Sequence, residues 1–303
     1  AETHDVVVPR LRAESVYNFE VITEGSTGIP DVVHPGSFET DTLPSALSAL
    51  NIEVIGKATF PVLLLTDKSV MIDTDGEVVW YRLDGLSSTG FAQFANGDFA
   101  FLTSVGLDVL TPMNEVVASL SEVDAATRTG TSGFDMHHDM IITPDETLLV
   151  LVRAGSVTVN DTTWVGNEIW EWDPVSDELT KRWAASDFLT PETDRGDLSS
   201  PDDWLHANSL SIGPGGNYLV SFFWTHEVVS ISPDFQSIEW RLGGAGNSFV
   251  VEDNAVEAGQ HTVTEVSPNR VLLFDNGLGR SSGELFSRAL ELELDRATGT
   301  ASV

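Results

Sequence analysis

A short unit returns again and again along this chain, and it is built for strands. It runs as a strand, a Gly or Asn turn, an apolar strand, then two more strands around a tight acidic turn, the last ending in Trp. Its second half is plain at Val70-Met71-Ile72-Asp73-Thr74-Asp75-Gly76-Glu77-Val78-Val79-Trp80-Tyr81, where Asp75-Gly76 joins two apolar runs as a hairpin turn does. The same half recurs at 168–173 with 179–183, at 228–234 with 238–242, and at 289–295 with 300–303. The first half stands at 91–101 and 138–150, and again from His206 and from His261 onward. Helical periodicity is weak throughout, so the reading is all-β. About five units are visible, at 52–84, 88–122, 136–185, 204–243 and 259–303. Four-stranded units of this length are the parts of a radial β-propeller, whereas a β-sandwich does not give such a repeat. Residues 1–50 form an irregular N-terminal segment with strand-like pieces, and 51–303 form the propeller domain. The last copy stops at Val303 before its Trp is due, so the chain reads as incomplete.

Charge narrows the partners. Fifteen basic residues against 47 acidic ones give a formal net charge of −32, spread along the chain rather than gathered in a tail. Such a surface repels phosphate backbones and anionic lipid, so neither nucleic acid nor a membrane surface is an expected partner. The pattern suits an acidic protein that stays soluble in salt, as halophilic proteins do, and equally an ordinary acidic secreted protein. No apolar run approaches the ~18 residues of a membrane span. The chain has no cysteine, which removes disulfides and thiolate metal sites. It begins at Ala1 without Met, as a processed or a trimmed chain does. Asp73-Thr74-Asp75-Gly76 lacks the downstream ligands of an EF-hand and is read as a hairpin turn.

Seven histidines are present. His4 and His34 carry no assigned role, but His138, His206 and His261 occupy the same place in successive units, where the first strand begins. In a propeller the innermost strands line one central space, so equivalent positions converge. Their companions are polar: His137 and Asp139, Asp203 and Asn208, Gln260, and Asn276 in the last unit. Three imidazoles can bind zinc or copper, or can divide the roles of nucleophile, base and proton donor; spacing does not separate these. Trp204, Trp224 and Trp240 either line an aromatic pocket or, as large apolar groups more often do, pack between blades.

As an ordered set the motifs resemble the arylsulfotransferase family, over about residues 70–295: 72–81, His137-His138-Asp139, Asp203-Trp204-Leu205-His206-Ala207-Asn208-Ser209, 238–244, Gln260-His261 and Phe274-Asp275-Asn276-Gly277. The resemblance implies a six-bladed propeller that moves sulfate from a small aromatic sulfate donor to a phenolic acceptor without a nucleotide or other cofactor. It makes His261 the nucleophile that becomes sulfohistidine, with His206 and His138 holding sulfuryl oxygens and moving protons. His137, Asn208, Gln260, Asn276 and Trp204 become substrate-binding residues, and no metal is implied. The expected location is extracellular or periplasmic, and a homo-oligomer is compatible. The family's usual arginine after the His206 motif is replaced by Phe223, and strand alternation puts His226 on the side opposite Phe223. The alternatives to a transferase are a binding or self-assembling structural propeller, and a histidine-based lyase or hydrolase.

Overall fold

The computed structural model describes residues 6, 8–24, 30–50, 52–57, 59, 61–65, 69–82, 87–252, 259–278 and 286–303. These residues form an all-β propeller-type fold with 22 strands and two short α-helices, divided into two compact units. Among the described residues five blade sheets follow one another along the chain, one fewer than the resemblance implies, at the positions where the repeat places them.

The first unit covers residues 1–87 and 112–114. It holds an antiparallel hairpin of β1 (Val16–Glu24) and β2 (Pro30–Glu39), and the three-stranded sheet of β3 (Val62–Leu65), β4 (Val70–Asp73) and β5 (Val78–Tyr81). The acidic hairpin turn is real. Asp73 Oδ1 accepts the backbone N–H of Asp75 and of Glu77, Gly76 takes φ 86°, and Arg12 pairs with the Asp73 carboxylate. Asp73 therefore spends one oxygen on the turn, as an Asx residue does, and the other on Arg12.

The second unit covers residues 88–111 and 115–303. Its first sheet is β6 (Ser88–Gln93), β7 (Phe99–Thr103), β8 (Gly106–Leu110) and β9 (Val116–Ser121). The second is β10 (Asp135–Ile142), β11 (Leu148–Val159), β12 (Thr162–Trp172) and β13 (Leu179–Ala184). The third is β14 (Ala207–Ile212), β15 (Tyr218–Phe222), β16 (Glu227–Ile231) and β17 (Ile238–Gly243). The fourth has five strands in the order β18 (Val250–Val251), β22 (Thr300–Ser302), β21 (Arg288–Asp295), β20 (Arg270–Asp275) and β19 (Gln260–Ser267). Within this unit the innermost strands β6, β10, β14 and β19 lie side by side in chain order. The sequence reading missed β18, which pairs in parallel with β22, because a two-residue strand has no periodicity to detect. It also missed α1 (Glu122–Thr129), an eight-residue helix capped by the Ser121 hydroxyl at one end and by Gly130 at φ 68° at the other.

The core lies between sheets. Val150, Val152, Trp170 and Trp172 pack from the second sheet against Leu102, Leu107 and Val109 of the first. Leu149, Leu151, Trp183 and Phe222 fill the next gap, and Leu219, Val228, Val271 and Leu292 the one after. Strands covered on both faces read as near-continuous apolar runs, which is why 148–152 and 227–231 show little alternation. Each sheet is thereby locked to its neighbour, and the innermost strands inherit that rigidity.

Candidate functional site

All three candidate histidines sit where the innermost strand leaves regular pairing. His138 takes φ 60°, and the β10–β11 register breaks between Met136 and Met140. His206 takes φ 57° immediately before β14, whose register breaks between Ala207 and Ser209. In β19 the break lies between His261 and Thr264, with Thr262 at φ 52°. Left-handed backbone is costly for a residue with a Cβ, most of all for β-branched Thr, and β-bulges re-aim side chains. The same distortion at three equivalent places turns three imidazoles into one space. The ring centroids lie 4.7 Å apart for His138 and His206, and 6.1 Å for His138 and His261.

Side-chain clamps hold these strands together. Asp139 accepts the Met140 N–H with one carboxylate oxygen and the Leu210 N–H of β14 with the other, both at 2.9 Å. Ser209 Oγ accepts the Val263 N–H of β19 at 2.9 Å. Asn208 Nδ2 donates to the Gln260 carbonyl at 2.8 Å. Gln260 is wholly buried, and its Nε2 donates to Ser221 Oγ and to the Phe222 and Glu227 carbonyls. Asn276 Nδ2 donates to the Gly259 carbonyl at 2.6 Å. Asn208, Gln260 and Asn276 thus brace the strand that carries His261. Trp204 is fully buried in the core beside Trp183, Leu205 and Phe222, and Trp240 is buried against Phe249; neither is exposed beside the histidines.

Around the histidines a specific polar shell closes in. Asp203 Oδ2 lies 2.6 Å from His206 Nδ1, and Asp203 Oδ1 accepts the His206 backbone N–H at 3.0 Å. His137 Nδ1 lies 2.7 Å from His138 Nδ1, and His137 Nε2 lies 3.0 Å from Asn167 Nδ2. Arg153 on β11 donates from Nη2 to Asp135 and brings Nη1 to 4.0 Å from Asp203 Oδ2. Asn167 and Arg153 escaped the sequence reading because they come from the second and third strands of a sheet, not from the innermost one. Among the described residues no group of three or more His, Asp or Glu is arranged to hold a metal ion.

The other wall is aromatic. Phe223 packs 5.8 Å from the His206 ring and 5.7 Å from the His261 ring, and Trp224 lies 4.8 Å from His206. Phe223 to His226 form the turn between β15 and β16, so the strand-alternation argument that separated them does not hold. His226 Nδ1 accepts the Gly259 N–H at 2.8 Å instead. Gly259, at φ 65°, lets Phe223 lie against the chain: a Cβ there would meet the Phe223 ring at 3.0 Å. Phe223 therefore stands inside the site, and among the described residues Arg153 brings a cation to it, with Nη1 4.0 Å from Asp203 Oδ2.

Burial and mutual repulsion keep His137, His138 and His261 neutral. Burial, then the charge of His138, pushes His137 down to about 3; burial, then His206 and His261, pushes His138 down to about 4. His261 is lowered too, by burial and then by His206. Burial pushes Asp139 the other way, up to about 6. A histidine with a depressed native pKa takes up its proton more readily when unfolded, so stability falls as pH drops below the ordinary 6.5. His137 alone is expected to remove about 2 kcal/mol between pH 6.5 and pH 5. Asp139 recovers part of this, because its raised pKa favours the native state as pH falls through about 6. Urea midpoints at the two pH values check the balance; in His137→Gln the acid loss shrinks by the His137 share, and an unchanged slope contradicts the assignment.

Comparison with known proteins now bears on this geometry. The family model described as Arylsulfotransferase (ASST) matches residues 63–303. The chain belongs to the arylsulfotransferase family. No curated protein matches it. Among solved structures, this arylsulfotransferase family member is similar to a protein of unknown function from Bacteroides caccae, with 15% identity over 82% of this chain and 70% of that one, at a TM-score of 0.46. It is similar also to virginiamycin B lyase from Staphylococcus aureus, with 11% identity over 90% and 88%, at 0.43. A calcium-binding regucalcin from Agrobacterium tumefaciens gives 11% over 79% and 67%, at 0.46. At such scores the structures carry no information on chemistry.

Proposed function

We propose that this family member transfers a sulfuryl group from a small aryl sulfate to a phenol by two displacements at His261, without a cofactor. The observation that supports this most directly is the convergence of His138, His206 and His261, with His261 held neutral beside Asp203-bound His206. A neutral imidazole has a free lone pair. In the first step an unprotonated His261 nitrogen bonds to sulfur while the bond from sulfur to the aryl oxygen breaks. Protonated His206, its charge balanced by Asp203, gives its proton to the departing phenolate. In the second step neutral His206 takes the acceptor phenol's proton, the phenol oxygen bonds to sulfur, and His261 leaves. Two easy substitutions replace one hard one. Phe223 and Trp224 offer the aryl rings a stacking surface.

Charge develops on the sulfuryl oxygens, and donors fixed in advance stabilise it. In this reading Arg153 serves where the family's usual arginine is replaced by Phe223. Arg153→Gln is expected to lower kcat about a hundredfold, the scale of one lost preorganised donor, with little change in unfolding. An unchanged kcat removes Arg153 from the mechanism. We place the protein outside the cytoplasm, extracellular or periplasmic; no helix of the described residues is long and apolar enough to cross a membrane.

The reading is tested by mixing enzyme with excess para-nitrophenyl sulfate in the absence of acceptor and measuring intact mass after rapid quenching. One added sulfo group on the His261 peptide, discharged by a phenol, is the expected result. No adduct and no nitrophenol release with several aryl sulfates would overturn it.

A further inference from the structure

We propose that Asn167 is a positioning residue that fixes, through His137, which nitrogen of His138 carries the proton, so that His138 presents Nε2–H to the site. One group in this network has no choice of role. The backbone N–H of Ala207 can only donate, and its partner is Asn167 Oδ1 at 3.2 Å. The amide is thereby oriented with its NH2 toward His137, where Nδ2 lies 3.0 Å from Nε2. An NH2 group donates, so His137 Nε2 must be bare. His137 is neutral at ordinary pH, burial holding it down to about 3, and therefore carries its single proton on Nδ1. That nitrogen is 2.7 Å from His138 Nδ1, a separation that accommodates one proton and not two or none. The proton belongs to His137, so His138 Nδ1 accepts. His138, also neutral, then carries its own proton on Nε2.

The opposite assignment breaks down at Asn167. Were His138 to donate to His137 Nδ1, His137 would carry Nε2–H against the Asn167 NH2, two donors face to face at 3.0 Å. Flipping the amide to relieve this would face its NH2 against the Ala207 N–H. Asn167 is buried, so water does not rescue the misfit cheaply. The device also spans two sheets: Asn167 belongs to β12, Ala207 opens β14, and His137 and His138 lie on β10. Tautomer choice is thus set by one sheet docking on the next. A neutral Nε2–H donor suits developing negative charge on a sulfuryl oxygen; that use rests on the sulfuryl-transfer reading, whereas the tautomer itself rests on hydrogen bonding alone.

Long-range nitrogen–proton correlation spectra of the uniformly nitrogen-15-labelled chain at neutral pH test the proposal. His137 is expected as the Nδ1–H form and His138 as the Nε2–H form, favoured more than about tenfold. Asn167→Leu removes the donor and is expected to leave His138 as a mixture of tautomers. Asn167→Asp, read at alkaline pH, is expected to invert both rings, because a carboxylate draws Nε2–H from His137. A wild-type His138 protonated on Nδ1, or an unchanged His138 tautomer in both variants, overturns the proposal. If the tautomers are as stated but no aryl sulfate is turned over, the sulfuryl-transfer reading fails and the tautomer assignment stands.

Discussion

His261→Ala is expected to abolish transfer from para-nitrophenyl sulfate to a phenol by about ten-thousand-fold or more, and to abolish the sulfo adduct with it. The size follows from what is removed. Every other group at the site holds or moves something; His261 alone forms the bond to sulfur in the proposed sequence. Direct transfer between two phenols needs both aryl groups and the sulfuryl centre in line at once, which a site built for sequential displacement does not provide. Structure is expected to survive, because His261 is only partly buried and the strand carrying it is braced by Gln260 and Asn208 rather than by the imidazole. A near-native urea midpoint together with lost turnover locates the defect in chemistry. Turnover within a few-fold of wild type would move the nucleophile elsewhere and sink the covalent scheme.

Asp203→Asn is expected to cost about a thousand- to ten-thousand-fold in the complete reaction, by the logic that a buried carboxylate fixes the tautomer of its histidine. The amide keeps one oxygen for the His206 backbone N–H and so conserves local geometry. Its NH2 then faces His206 Nδ1, the proton moves to Nε2, and the nitrogen facing the substrate can no longer accept. The two half-reactions should respond unequally. Nitrophenolate is a good leaving group that depends little on the His206 proton, so the first displacement largely survives; the acceptor phenol must lose its proton to His206, so the second does not. A burst of nitrophenolate followed by stalled, sulfated enzyme is the predicted time course. Equal loss in both half-reactions would take His206 out of the proton-carrying role.

The blades were legible in the sequence because strand pairing is local: Asp75-Gly76, Asn96-Gly97 and the Trp-ended strands mark hairpins within a few residues, and the interblade apolar runs mark what is covered on both faces. The convergence of the three histidines was legible for the same reason, since a repeat carries equivalent positions to equivalent places. What escaped was everything contributed from the side. Arg153 and Asn167 reach the site from β11 and β12, and nothing in 153 or 167 marks them apart from other polar strand residues. The bulges escaped because glycine is the usual sign of left-handed backbone, and here His138, His206 and Thr262 adopt it with full side chains. The resemblance makes Trp204 a substrate-binding residue, yet its ring fills an interblade gap, as ordinary packing of a large apolar side chain would have it.

The clamps from Asp139 to the Leu210 amide and from Ser209 to the Val263 amide have a consequence for how such a protein can change over time. They tie neighbouring blades from a side chain to a main-chain amide, so the spacing of the three imidazoles rests on Asp139 and Ser209 rather than on the residues proposed to touch substrate. The side chains of Phe223 and Trp224 take part in neither clamp, and the main chain of their turn is held separately, by Phe223 N–H to the His206 carbonyl and Trp224 N–H to the Leu205 carbonyl. Preference among aryl partners is therefore free to drift by substitution in that turn, generation after generation, while the reacting triangle keeps its dimensions. Diversity in what is bound and constancy in what is done are assigned to different parts of the same face.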